Sequence, residues 1–117
     1  MIMTVEKTVH FYAAHSVTVF GVGHKCANLH GHTYTLTVWA DTLPHSPLEF
    51  SALESGIRSV VDKFDHSNLN DHAELIGGEP TVERLAAYIG HELKKTLSVR
   101  RLRLQETQSS AVCLELN

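Results

Sequence analysis

His30 and His32 flank Gly31 directly ahead of the run Thr33-Tyr34-Thr35-Leu36-Thr37-Val38-Trp39-Ala40, whose alternation suits a strand. Residues two apart on a strand share a face, so the two imidazoles would stand side by side at its entrance. Neutral imidazole nitrogen is a zinc ligand. His15 follows an earlier alternating run, Thr4 to Tyr12, through two small residues, Ala13 and Ala14. Antiparallel pairing of the two runs would bring His15 beside His30 and His32. Three protein nitrogens and an open fourth position are the arrangement of catalytic zinc. Cys26, just upstream of His30, offers a second arrangement, a closed structural site with the thiol as fourth ligand. Histidines packed without a metal are the third reading.

Other residues add to the set. The neighbours of Cys26 are His24, Lys25 and Asn28, which favours a solvent-reachable thiol over a small buried one. Cys113, between Val112 and Leu114, reads as a structural strand residue. Asp65-His66 falls in a polar turn and reads either as a plain cap or as an acid/base pair in which the carboxylate orients the imidazole. In the run Val99 to Glu106, Glu106 shares the parity of Leu102 and Leu104, so a carboxylate ends an apolar row. It is either an edge charge or an anchor that accepts hydrogen bonds from a ligand's N–H groups. His10, His45, His72 and His91 belong to no constellation.

The elements that must hold these groups follow from the pattern. Thr4 to Tyr12 is a first strand with Val5, Val9 and Phe11 on one face. Residues 16–29 are a loop whose Val17, Val19 and Phe20 are expected against the body. His30 to Asp41 is the second strand. Ser51 with Glu54 fits a capping box that starts a helix over 51–64, with Leu53, Ile57, Val60, Val61 and Phe64 as its stripe. Thr81 is an N-cap for a second helix carrying Leu85, Ala86, Ile89, Leu93 and Leu97. Val99 to Glu106 and Ala111 to Leu116 are the closing strands, joined at Ser109-Ser110. The order β-β-α-α-β-β predicts an α+β fold: an antiparallel sheet with both helices on one face.

Composition narrows the class. A chain of 117 residues suits one domain over 1–117. A formal charge of −3 gives no footprint for nucleic acid, and the only dense basic spot is Arg100-Arg101-x-Arg103. No apolar run approaches the roughly 20 residues of a membrane span, and no signal peptide is visible at Met1-Ile2-Met3-Thr4. Two cysteines are too few for a secreted disulfide scaffold, so a reducing cytoplasm is expected.

Six motifs resemble, in order, those of the 6-pyruvoyltetrahydropterin synthase family. They are Tyr12-Ala13-Ala14-His15, Gly23-His24-Lys25-Cys26, Cys26-x3-His30-Gly31-His32, Asp65-His66-x2-Leu69-Asn70, Pro80-Thr81-x-Glu83 and Glu106-Thr107. The short Cys26–His30 gap is similar to the 6-carboxytetrahydropterin synthase branch of the queuosine pathway. This resemblance implies the tunnelling fold, with sheets joined into barrels in a homo-oligomer built on trimers, a hexamer, and active sites between subunits. It implies zinc on His15, His30 and His32, Cys26 as proton-abstracting base, Asp65 and His66 as relay and acid, and Glu106 gripping the pterin edge with Thr107 nearby. The implied substrate is a pterin triphosphate, 7,8-dihydroneopterin triphosphate; the implied products are 6-carboxytetrahydropterin and acetaldehyde. Glu49 and Val82 stand where the family usually has aspartate and serine.

Overall fold

The computed structural model describes residues 1–116. Strands β1 (Thr4–His15) and β2 (His30–Asp41) pair antiparallel along their whole length, from Thr4 opposite Asp41 to His15 opposite His30. Val9, Phe11, Ala13 and His15 of β1 are buried, as are Tyr34, Leu36, Val38 and Ala40 of β2. The period of two in both strands therefore defines one core face, and the three histidines lie at one end of it.

Helix α1 (Phe50–Val61) buries Leu53, Ile57, Val60 and Val61 against β1. Its start differs from the capping box expected at Ser51 and Glu54. Glu49 is the N-cap and makes no side-chain cap bond, the Ser51 hydroxyl donates to the Glu49 carboxylate, and Glu54 pairs with Lys7 at 2.9 Å. The helix also ends before Phe64, which stays fully buried in the turn that follows.

The polar turn after α1 holds more structure than its composition suggests. Strand β3 (Ser67–Asn68) pairs parallel with Ala13 and Ala14 of β1, and a 3-10 turn (Leu69–His72) leads into the single-turn helix α2 (Ala73–Ile76). Gly77 ends α2 in the left-handed conformation, φ 98°, that glycine adopts without a Cβ penalty.

Helix α3 (Val82–Leu93) starts as expected, with the Thr81 hydroxyl accepting the Arg84 N–H at 3.1 Å. Its buried stripe is Leu85, Ala86, Ile89, Gly90 and Leu93; Leu97 lies past its end. The helix rests on β4 (Val99–Thr107) and β5 (Ser110–Glu115), which pair with each other antiparallel. Gly90 sets that approach, because a Cβ there would stand 3.2–3.4 Å from leucine methyls of Leu102, Leu114 and Leu116. Gly90→Leu is expected to cost about 1–3 kcal/mol by overpacking. A thermal melt checks it, and an unchanged Tm would show that α3 floats on the sheet.

The sheet order is β3-β1-β2-β4-β5. Thus β2 lies at the centre, its His30 and His32 facing the core beside β1's His15 and β4's Glu106. No helix among the described residues is long and apolar enough to cross a membrane.

Candidate metal centre and active site

One ring nitrogen of each of His15, His30 and His32 lies within 4.8 Å of the other two. The other nitrogen of two of these rings is already engaged. His15 Nδ1 is 2.8 Å from the Pro80 carbonyl oxygen, and His30 Nδ1 is 2.7 Å from the Asn28 carbonyl oxygen. A carbonyl can only accept, so both Nδ1 atoms carry the proton and both Nε2 lone pairs are free for the centre. Metal-binding histidines are typically oriented in this way by their second nitrogen.

His32 gives the sharper test of fit. Its Nε2 is buried and has no hydrogen-bond partner. Burial first, and then the neighbouring His15 and His30 rings, lower its pKa from 6.5 to about 4. An orphaned, neutral imidazole nitrogen facing two free Nε2 atoms is what a divalent cation requires and what a metal-free core disfavours. The residues fit zinc.

This depressed value fixes a pH dependence for the metal-free protein. The unfolded chain takes up a proton at His32 near pH 6.5, and the folded chain does so only near pH 4. Stability is therefore fully present above about 6.5 and is lost as the pH falls from 6.5 toward 4. Melts of chelated protein across that window are expected to fall in Tm, and less so in a His32→Gln variant. Equal slopes would remove His32 as the cause.

Glu106 reaches the centre from β4. Its carboxylate oxygens are 3.6 Å from His15 Nε2 and 3.9 Å from His32 Nε2, beyond hydrogen-bond reach, so the charge at the end of the apolar row faces the same centre as the three imidazoles. The β4–β5 register shifts between Gln105 and Thr107, and bulges of this kind re-aim a side chain. The hydroxyl of fully buried Tyr34 also has no partner; burial, then the Glu106 charge, raises its pKa.

A cavity of about 140 Å³ opens beside the histidines, with His15, Cys26, His30, Thr81, Glu83 and Glu106 among its walls. Cys26 is a free, half-buried thiol on this wall and is not part of the histidine cluster. That disfavours a closed site with the cysteine as fourth ligand. Thr107 is exposed and lines a separate depression of about 400 Å³ with His32 and Glu106.

Asp65 and His66 stand elsewhere. His66 stacks on Tyr12, centroids 5.5 Å apart, and its side chain is 76% exposed. The Asp65 carboxylate accepts the Tyr12 N–H at 2.9 Å and lies 3.8 Å from His66 Nε2. By strand parity Tyr12 points away from the core face that carries His15. Within one chain the pair thus sits on the solvent side of β1, and Cys26 lines the cavity by the triad.

Cys113 lies in a strand as expected, on the exposed face of β5 with its sulfur 3.8 Å from an Arg101 nitrogen. Other expectations need correction. Val17 is buried as expected, but Val19 and Phe20 are each 62% exposed, since the glycine-rich loop swings off the body. Strand β1 runs on to His15, beyond the expected end at Tyr12. The carbonyls of Pro80 and Asn28 that orient His15 and His30 are backbone groups and carry no side-chain signal in the sequence. The side-chain amide of Asn70 accepts from Ser16 N–H at 2.8 Å and donates to Ser16 C=O at 2.9 Å, clamping the chain beside His15.

The family profile described as 6-pyruvoyl tetrahydropterin synthase matches residues 4–116. The chain belongs to this family. Among curated relatives, the 6-carboxy-5,6,7,8-tetrahydropterin synthase of Aquifex aeolicus is 31% identical, over 80% of each chain. The protein of the same name from Haemophilus influenzae is 31% identical over 91% of this chain and 94% of its own. A 6-pyruvoyl tetrahydrobiopterin synthase of Dictyostelium discoideum is 32% identical over 75% of this chain and 71% of its own. Among solved structures, the 6-pyruvoyl tetrahydropterin synthase of Caenorhabditis elegans superposes with a TM-score of 0.84 at 24% identity, covering 100% of this chain and 97% of that one. The antiparallel sheet and its helices form the tunnelling fold of the 6-pyruvoyl tetrahydropterin synthase family.

Proposed function

We propose that this family member is a zinc-dependent lyase that converts 7,8-dihydroneopterin triphosphate to 6-carboxy-5,6,7,8-tetrahydropterin with release of acetaldehyde and triphosphate, in queuosine-type 7-deazapurine synthesis. The convergence of three oriented imidazoles beside a half-buried thiol and a carboxylate carries this reading. The relatives that bear the 6-carboxy name support this product over the pyruvoyl one.

His15, His30 and His32 hold the zinc in this reading, which supplies Lewis acidity toward side-chain hydroxyls of the substrate. Cys26, on the cavity wall, removes a proton from the substrate side chain. Glu106 accepts the N–H groups of the aminopyrimidine edge, a bidentate role for which two free carboxylate oxygens suit. Thr107 extends that edge contact.

Asp65 and His66 serve as relay and acid for the site of another subunit, a role that their position on the solvent side of β1, beside Tyr12, supports. The enzyme is accordingly a homo-oligomer built on trimers, a hexamer, with one domain per chain over 1–117. It acts in a reducing cytoplasm, in which Cys26 and Cys113 remain free thiols.

The test is to incubate zinc-loaded protein with dihydroneopterin triphosphate and identify products by mass. Carboxytetrahydropterin plus acetaldehyde is the expected result. A pyruvoyl product, the activity named for the Dictyostelium relative, would move the chain to the sibling reaction on the same scaffold. No turnover with zinc bound would leave a site that only binds.

A further inference from the structure

Cys26 lies in a single 3-10 turn, Lys25–Ala27, whose first N–H groups have no partner within the turn. The His24 side chain fills that need. Its Nδ1 accepts the Cys26 backbone N–H at 3.1 Å from an extended N-cap conformation, φ −75° and ψ 146°. Serine, threonine, asparagine and aspartate are the usual residues at such a cap, and histidine is not among them. In imidazole the acceptor Nδ1 is bonded to Cγ, as Oδ1 is in asparagine, so the two reach the same point. Accepting an N–H requires Nδ1 to be unprotonated, so the ring proton sits on Nε2.

The turn is also tied to the metal side. The Cys26 carbonyl accepts the Val17 N–H at 2.9 Å, two residues past His15, and the Asn28 carbonyl that follows the turn accepts from His30. The turn is thus tethered on one side to the chain just past His15 and on the other to His30, and the Cys26 amide is held by His24. Phe20 packs on the His24 ring, centroids 5.5 Å apart, and itself lines the cavity that Cys26 enters.

We propose that His24 is a positioning residue that sets the orientation of the Cys26 thiol by capping its turn with Nδ1. The catalytic role of Cys26 rests on the function proposed above; the positioning itself does not. His24 is solvent-exposed, so its replacement leaves the core untouched.

The experiment compares His24→Ala and His24→Asn with the parent in zinc-loaded protein carrying Cys113→Ser, which leaves Cys26 as the sole thiol. Two rates are read: alkylation of Cys26 by iodoacetamide, and turnover of dihydroneopterin triphosphate with kcat and KM separated. In His24→Ala the turn loosens, alkylation accelerates at least threefold, kcat falls about tenfold and KM stays within twofold. In His24→Asn both rates return to within twofold of the parent. Unchanged alkylation in His24→Ala would overturn the proposal, as would an asparagine variant as altered as the alanine one. A protein that shows the alkylation pattern but no turnover would sink the lyase assignment and leave the positioning role standing.

Discussion

Cys26→Ala is expected to lower turnover by roughly 10²- to 10⁴-fold, the range that a positioned general base contributes. Bound zinc is expected to stay at the parent level. The thiol is outside the cluster of His15, His30 and His32, and the rings of His15 and His30 are oriented by the carbonyls of Pro80 and Asn28, which the substitution does not touch. Folding changes little, because Cys26 is half-buried and the alanine occupies the same turn. The measurements are zinc per chain by elemental analysis and product formation by mass. Loss of zinc together with activity would mean that the sulfur is a ligand after all and would revive the closed metal site.

His32→Ala is expected to act in the opposite way, removing zinc first and activity as a result. Two imidazoles remain, and the free energy that the metal adds to the folded state disappears with it. A ligand present at 1,000 times its Kd stabilises by about 4 kcal/mol, which for a chain of this size shifts Tm on the order of 10 °C. The informative comparison is therefore a melt with and without zinc. The parent gains that shift on zinc addition and the variant does not. Metal-free melts differ far less, because the lost ring leaves a small void but also removes the buried, unpartnered Nε2. Equal zinc responses in parent and variant would exclude His32 as a ligand.

Much of the site was legible because strand parity is a local rule. His30 and His32 share the face of Tyr34 and Leu36, and Glu106 shares that of Leu102 and Leu104, so sequence places all three at the core face. His15 required one longer inference, the antiparallel pairing of β1 and β2, which alternation in both runs supports. Ala13 and Ala14 hid the last residues of β1, since alanine has little preference for strands. The location of Asp65-His66 was not legible. It depends on a two-residue parallel pairing of Ser67 and Asn68 with Ala13 and Ala14, distant in sequence and too short to leave a pattern. The Ser51–Glu54 motif misled because Glu54 found a better partner in Lys7 on the neighbouring strand.

His66 is the sole non-glycine residue with positive φ among the described residues, at 58°. Left-handed backbone at a residue with a Cβ costs about 1 kcal/mol or more and persists only where the surroundings enforce it. Here the His66 N–H donates to the Tyr12 carbonyl at 2.6 Å, and Asp65 grips the Tyr12 N–H from the other side. The chain gives up folding stability to point one imidazole outward from β1. Selection for a more robust fold alone would erode that residue first, toward asparagine or glycine. A laboratory lineage selected for heat tolerance alone should drift at His66 well before it drifts at Phe11 or Leu36.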